Sequence, residues 1–493
     1  MLNRRHFLRN IGLTGSAVVI PTVGVIGETY APSPTTTSEI QLRGKVTAAG
    51  IGIPGVPVTD GVNITVTGSD GSYELASTVA AEFVYITLPA GYVIPDKQGI
   101  PEFYKTLKKP TGTVVNDFEL TRLTTDDRNH IFIVWADTQM ATKEDAELLK
   151  TKVVPDLLDL KKTYPDGTLF HGIGCGDLIW DKFELFGDYR QAVEATGIPF
   201  FNLLGNHDLD FDARTDDNSS FTFKKQFGPT YYSFNRGDIH YVMLDNVFFV
   251  GMAKKYIGYL TETQLRWLES DLALVKKGST VIVGMHIPTA TGLFRRLKKE
   301  EEFGMFLTNR KQLYRILQPF QTHIMTGHTH FNEKWQEPGM MEHNHGAVCG
   351  AWWTGPICSD GTPAGYAVYE ISGPDLKWYY KSTGFGKEKQ FRIYQKGRVK
   401  EFPGEIAVNV WNWDPEWTVQ WLEDGIVKGN MQQRTGLDPW AAELYTGPSI
   451  PVKYKWVEPT LNDHLFFAKP STAAKKVTIR VTDRFGKVYE ETV

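Results

Sequence analysis

Between residues 40 and 121 the chain reads in short alternations of apolar and polar positions. Gly, Pro or Asp breaks them every few residues: "LRGKVTAAG", "PGVPVTDG", "VNITVTGSDGSYEL", "FVYITLPAGY". A period of two over four to eight residues marks half-buried strands, and such breaks are turns. A small all-β sandwich is expected over residues 40–121, with Asp70-Gly71 as a hairpin turn. From about Arg122 the rhythm changes. Apolar runs of strand length ("IFIVWAD", "TLFHGIGCGD", "IPFFNLLGNHD", "STVIVGMH", "THIMTGHTH") take turns with stretches of helical spacing. The latter are "EDAELLKTKVVPDLLDLKKTY", "FELFGDYRQAVEATG", "TETQLRWLESDLALVKK" and "NRKQLYRILQPF". That alternation predicts a layered α/β domain with parallel pairing over residues 122–385. Beyond Phe385 the pattern is all-β again, through "VNVWNWD", "WTVQWLEDG" and "KVTIRVTDRFGKVYEETV", and predicts a β-rich domain over residues 386–493.

The first residues follow neither pattern. Arg4 and Arg5 precede Phe7 and Leu8, a mildly apolar run follows over residues 11–26, and then comes "ETYAPSPTTTS". A charged head, a short apolar middle and a polar exit predict an export signal over residues 1–31. The paired arginines fit the twin-arginine type, with an ordinary secretory signal or an uncleaved anchor as alternatives. "PSPTTTSE", residues 32–39, reads as a linker. An exported protein of the periplasm or cell envelope is expected. The mature chain has no transmembrane segment in this reading, because no other apolar run nears the roughly 20 residues that span a bilayer.

Length and composition narrow the picture. At 493 residues the chain is too long for one ordinary core, and about two to four domains are expected. A net charge of -4 gives no electrostatic case for nucleic acid, and no such binding is expected. Cys175, Cys349 and Cys358 fit no metal-binding spacing and no disulfide framework, although an oxidising compartment leaves a Cys349–Cys358 bridge open.

Every strand of the α/β stretch ends in polar residues of one chemical type. Asp137 and Gln139 close the first, and Asp177, followed by Asp181, closes the second. Asn206, His207 and Asp208 close the third, His286 the fourth, His328 and His330 the fifth. Singly, such a His is more often a satisfied core residue, and such an Asp a cap or turn. Ligands of open α/β sheets gather at the carboxyl ends of strands, so five such ends in order predict one ring of metal ligands.

The blocks "DTQ" (137–139), "GDLIWD" (176–181), "GNHD" (205–208), "MH" (285–286) and "GHTH" (327–330) resemble those of the calcineurin-like metallophosphoesterase superfamily. Its pattern is D-x-H, GD-x-x-D, GNH-(D/E), a lone H and GH-x-H. "GPTYYSFNRGDIHYVMLD" (228–245) is similar to the two strands that the family places between its third and fourth blocks. The resemblance implies an α/β/β/α four-layer sandwich. It also implies the bacterial branch with an N-terminal Ig-like or carboxypeptidase-regulatory-like β-sandwich and a C-terminal β-rich domain, the latter beginning as early as residue 345.

Carried over by position, the resemblance implies two divalent metal ions, Mn, Fe, Zn or Mg. Asp137, Gln139, Asp177 and His330 would hold the first; Asp177, Asn206, His286 and His328 the second, with Asp177 bridging. His207 would stay free to face the substrate and donate a proton. Asp208 would orient its ring, Asp181 would lend outer support, and Gly205 would give the backbone room to turn. The implied activity is hydrolysis of a phosphate mono- or diester by a metal-bridging hydroxide. Two divalent cations, less two carboxylates and a hydroxide, leave a net positive charge that attracts a phosphoester. The expected substrate is a small-molecule, glycan or lipid phosphoester. The alternatives are nucleotide or pyrophosphate hydrolysis, and a non-catalytic envelope binding protein on the same scaffold.

One position departs from the family pattern. Gln139 stands where His is usual and can coordinate only through its amide oxygen, a harder ligand, so the first site is expected to favour Mn, Mg or Fe over Zn. Around the site, Trp180 and Trp352-Trp353 are expected near the mouth, either stacking on a sugar or nucleobase or packing the sheet cover. His343 and His345 are expected at the rim. The acidic loop 208–218 and the basic run 295–299 read as solvated surface, with contact to a substrate anion as the second reading of the latter.

Overall fold

In a computed structural model, residues 39–493 are described apart from 252, 253, 449 and 452. The expected export signal and all but the last residue of the expected linker lie outside the described residues. That last residue, Glu39, already belongs to the first strand, Glu39–Ala48.

The alternation of residues 122–385 folds into two facing sheets. The first runs Phe200–Asn202, Leu169–Gly174, Asn129–Trp135, Gly365–Ser372, Asp375–Ser382, its first three strands parallel and the last two antiparallel. The second runs Tyr232–Arg236, Ile239–Met243, Thr280–Gly284, Gln321–Thr326, Met340–Asn344, Glu333–Glu337. In it Tyr232–Arg236 and Ile239–Met243 form the antiparallel pair expected from residues 228–245.

The near-continuous apolar strands are explained by burial on both faces. Phe132 and Val134 point into a core shared with Phe201 of the same sheet and with Phe234, Tyr241, Ile282 and Met325 of the facing one. Phe201 and Phe234 stack across the gap at 3.7 Å and 7°. Their neighbours Ile131, Ile133 and Trp135 point the other way, against Leu149, Leu157 and Val193 of the helices. On the far side Val242, Val281 and Val283 meet Trp267, Leu268, Leu313 and Leu317 of two more helices. The order is therefore helix, sheet, sheet, helix.

The first helical stretch does not run evenly: Lys143–Leu148 is followed by a widened turn, Leu149–Val153, and then Val154–Lys161. Pro155 lacks the N–H that an unbroken α-helix would use there, and the wider turn absorbs the loss.

The N-terminal part holds a five-stranded and a four-stranded sheet. The Asp70-Gly71 turn is present, with Gly71 at φ +77°, but it does not close a hairpin. Ile64–Val66 pairs with Pro57–Thr59 and Ser72–Thr78 pairs with Glu39–Ala48, so the turn passes the chain between sheets. Phe103 joins this part to the layers, its ring 4.5 Å from Tyr232 and 6.1 Å from Phe201. The C-terminal part is two four-stranded sheets closing on Val408, Val410, Phe466, Val419, Ile479 and Val481. Among the described residues, no helix is long and apolar enough to cross a membrane.

Candidate metal centre

The two sheets deliver their strand ends to one place. Asn129–Trp135 leads to Asp137 and Gln139, Leu169–Gly174 to Asp177, and Phe200–Asn202 to Asn206. From the second sheet, Thr280–Gly284 leads to His286 and Gln321–Thr326 to His328 and His330. Asp177, His286 and His328 converge, and so do Asp137, Asp177 and His330, with the ligand atoms of each group within 4.8 Å of one another. Asp177 belongs to both. His286 Nε2 lies 3.4 Å from Asp177 Oδ1, 3.1 Å from Asn206 Oδ1 and 3.2 Å from His328 Nδ1. His330 Nε2 lies 3.4 Å from Asp137 Oδ1, and Gln139 Nε2 lies 3.1 Å from Asp177 Oδ2.

The donor chemistry fits a cation. His286 Nδ1 is 2.7 Å from the carbonyl of Cys175, which can only accept, so Nδ1 carries the hydrogen. In the neutral ring Nε2 is then a bare lone pair aimed at other lone pairs. Gln139 Oε1 is buried without a hydrogen-bond partner, an arrangement that costs free energy unless a donor or a cation meets it. The amide of Gln139 reverses by rotation about one bond, which brings Oε1 round to where Nε2 now meets Asp177.

The charges show the same deficit. Burial pushes Asp137 up to about 8, with the negative charge of Asp177 adding to the effect. Burial also acts upward on Asp177, but His286 and His207 outweigh it and hold the carboxyl well below its ordinary range. Burial would lower His286, yet the Asp177 carboxylate outweighs it and carries the ring up to about 9, a sign of uncompensated negative charge at this point. His328 and His330 are driven down to about 3 by burial, which keeps both rings neutral and able to ligate.

Strain concentrates here as well. Asp137, Gln139, Asp177, Asp181, His328 and His330 all have positive φ, between 39° and 72°. Non-glycine residues take that conformation rarely, and mostly where the surroundings enforce it.

Gly205 is required for a reason other than the one expected. Its φ of -105° is ordinary, so conformational freedom is not the issue. A Cβ there would sit 1.9 Å from the Asp177 backbone nitrogen and 2.3 Å from its Oδ1. Glycine is what lets the third strand end lie against the second.

His207 is the one residue of its block left at the surface, its side chain 25% exposed. Its backbone N–H donates to Asp177 Oδ1 at 2.8 Å. Its ring is not oriented by Asp208. His207 Nδ1 pairs with Asp181 Oδ1 at 2.8 Å, and Lys254 Nζ donates to Asp181 Oδ2 at 2.6 Å. Asp208 turns back into the tight turn Asn206–Asp208 and accepts the backbone N–H groups of Leu178, Ile179 and Gly205 at 2.9–3.2 Å. It ties the loops that carry Asp177 and Asn206 together. Burial lowers the His207 imidazole, but Asp177 and Asp181 outweigh it and leave it raised.

The surroundings depart from expectation in several places. His343 and His345 are core residues: both are buried, His343 Nε2 meets His323 Nδ1 at 3.0 Å, and His345 Nε2 meets Tyr369 OH at 2.8 Å. Met340–Asn344 is an inner strand of the second sheet, so the chain that bears them runs inside. Arg296 is buried and paired with Glu333 and Asp463, which leaves it no role as free surface. In the acidic loop, Asp210 accepts from Thr222 and Asp216 from Phe249 N. All three cysteines are buried and free. Trp180 lies edge-on to His207 and Trp352 stacks on His330, while the Trp353 indole N–H donates to Thr138 O. Tyr454 and Trp456 join them. Nothing in "KYKWVEP" marked these two residues, because only the fold brings them to the centre.

Comparison with known families agrees along most of the chain. Residues 165–332 match the calcineurin-like phosphoesterase family, 40–123 the N terminal of calcineurin-like phosphoesterase, and 342–489 its C terminal. Asp137 and Gln139 precede the central match. Purple acid phosphatase 13 of Arabidopsis thaliana is 24% identical over 163 residues, and purple acid phosphatase 15 of the same plant 26% over 165. Those alignments cover 30% and 31% of this chain and 28% of each relative. The purple acid phosphatase PPD1 from yellow lupin, Lupinus luteus, aligns over 67% of both chains at 14% identity and a TM-score of 0.37. The chain belongs to the calcineurin-like phosphoesterase family.

Proposed function

We propose that this protein hydrolyses phosphate mono- or diesters at a binuclear metal centre. Asp137, Gln139, Asp177 and His330 would hold one divalent ion, and Asp177, Asn206, His286 and His328 the other. The observation that carries this reading is the convergence of two donor groups on a shared Asp177, beside a Gln139 amide whose buried oxygen has no partner and reaches Asp177 by rotation about one bond. Bound ions supply neutralisation of the phosphoryl oxygens and acidification of a water.

The chain's own residues supply the rest. The ligands are held on strand ends and tied by Asp208, so little reorganisation is needed when substrate arrives. The Asp181 carboxylate keeps the hydrogen of His207 on Nδ1 and leaves Nε2 directed at the substrate side. From there a proton on Nε2 reaches the leaving alcohol oxygen. No serine or cysteine nucleophile is required, and the buried, raised thiols of Cys175 and Cys349 are unsuited to that role. The sequence pattern of residues 1–31 supports placing the mature enzyme outside the cytoplasm.

Protein reconstituted with Mn, Fe, Zn or Mg and offered monoester, diester and pyrophosphate panels tests the proposal. Turnover on an ester that disappears in Asp177→Asn is expected. A preference for pyrophosphate would shift the bond cleaved, and metal-loaded protein inert on all three would favour a binding role. Fractionation of cells carrying Arg4→Lys with Arg5→Lys tests export, with retention inside the cell as the expected result.

A further inference from the structure

The aromatic residues beside the centre bear on the alcohol portion of the substrate, an inference that rests on the function proposed above. Trp180 meets His207 at 5.6 Å and 70°, and Trp352 stacks on His330 at 4.3 Å and 25°. Tyr454 and Trp456 arrive from the C-terminal part of the chain. Trp456 lies 4.7 Å from Trp352 and 5.9 Å from Trp180, and Tyr454 lies 5.3 Å from Trp180. The segment that brings them is fastened to the catalytic layers, because Lys453 Nζ pairs with the buried carboxylate of Asp145.

Core packing accounts for part of this cluster, since Tyr454 and Trp352 flank a small apolar group with Val457 and Tyr445. It does not account for Trp456, which is 53% exposed. Nor does it account for the backbone: Trp352 and Trp353 sit side by side at φ +50° and +58°, a conformation that bulky residues avoid. A strained, half-buried Trp352 and a solvent-facing Trp456 in contact with each other, beside the part-exposed His207, are better explained by a ligand than by stability.

The contact with His207 bears on which part of the ligand is met. A leaving oxygen protonated from His207 lies next to that ring, and Trp180 packs edge-on against the same ring at 5.6 Å. We propose that Trp180, Trp352, Tyr454 and Trp456 form a subsite for a flat-faced ring on the alcohol side of the phosphoester. Aromatic and sugar rings share the chemistry that this surface recognises, a broad face of C–H or π density.

The test measures kcat/KM of metal-loaded enzyme on phenyl phosphate, a hexose phosphate and glycerol phosphate, each as monoester and methyl diester. Wild type is expected to favour one or both rings over glycerol, and Trp456→Ala to shrink that ratio about five- to tenfold, the order set by ring stacking. The phenyl and hexose arms separate the two ring sources. A second readout needs no turnover: quenching of tryptophan emission by phenol or a methyl hexoside, but not by glycerol, with weaker affinity in Trp456→Ala. An unchanged ratio in Trp456→Ala, or equal treatment of rings and glycerol by wild type, overturns the subsite. Absence of turnover with quenching intact overturns the phosphoesterase reading and leaves the subsite standing.

Discussion

His207 Nδ1 and Asp181 Oδ1 are 2.8 Å apart, and the neighbouring carboxylate in sequence, Asp208, does not touch the ring. The two acids therefore carry separable jobs. Asp181→Asn keeps the shape but loses the charge that fixes the ring hydrogen on Nδ1, and kcat is expected to fall about 10- to 100-fold. Metal content should stay at the wild-type level, because Asp181 belongs to neither donor group. Asp208→Asn leaves the ring alone and weakens three backbone hydrogen bonds, so metal content and thermal stability should drop together. Elemental analysis beside steady-state kinetics separates the two, and full activity in Asp181→Asn would remove the assigned role.

In the proposed centre, Gln139 would set the character of the first site. Its amide oxygen is a hard, neutral donor, whereas an imidazole there would be softer and bind Zn more firmly. Gln139→His is expected to tighten Zn binding at least about tenfold relative to Mn. Competitive titration of the two metals against a chromophoric chelator measures this. Equal Zn-to-Mn ratios in both proteins would refute the assignment of Gln139 as a ligand.

Gly205 offers a test of how closely two strand ends must approach. A methyl group on it would overlap the Asp177 backbone nitrogen at 1.9 Å, and backbone cannot step aside as a flexible side chain can. Gly205→Ala is expected to cost about 2–3 kcal/mol of stability, the usual scale of overpacking. It should also lower metal content by displacing Asp177. Urea unfolding of the metal-free protein isolates the first effect, and a midpoint equal to that of wild type would show that the loops can separate.

Much of this arrangement could be read from residue order. The strand-and-helix rhythm marked the layers, and five polar strand ends marked the residues that converge, because each signal is local and repeats. What escaped depended on contacts between distant segments. Asp208 adjoins His207 in sequence and is the expected partner of its ring, but the tight turn Asn206–Asp208 points Asp208 backward and leaves the ring to Asp181, 26 residues away. His343 and His345 follow the His328–His330 loop in sequence, yet His343 lies on a strand inside the second sheet and His345 directly after it, against Tyr369. The Asp70-Gly71 turn has hairpin chemistry, but the partners of its flanking strands lie in different sheets.

His171 lies in the core between the sheets, away from the ligands, and gives a pH prediction. It is fully buried, neither ring nitrogen has a partner, and it stacks on Phe132 at 5.6 Å and 19° with Tyr241 and Phe234 edge-on. Burial holds its imidazole far below the ordinary value of 6.5, and the nearby charges of Arg236 and His130 add to the effect. A folded-state pKa lower than the unfolded one means that the unfolded chain binds the extra proton. Stability is therefore lost as pH falls below about 6.5. Full proton uptake by the unfolded chain at pH 5 costs about 2 kcal/mol at this one site. His171→Leu, close in volume, removes that dependence. Whatever offset its packing introduces is the same at every pH, so the informative quantity is the change in the mutant–wild-type difference between pH 7.5 and pH 5. That change is expected to favour the mutant by about 2 kcal/mol in denaturant unfolding. A difference constant across that interval would mean that His171 titrates in the folded protein much as it does in the unfolded chain.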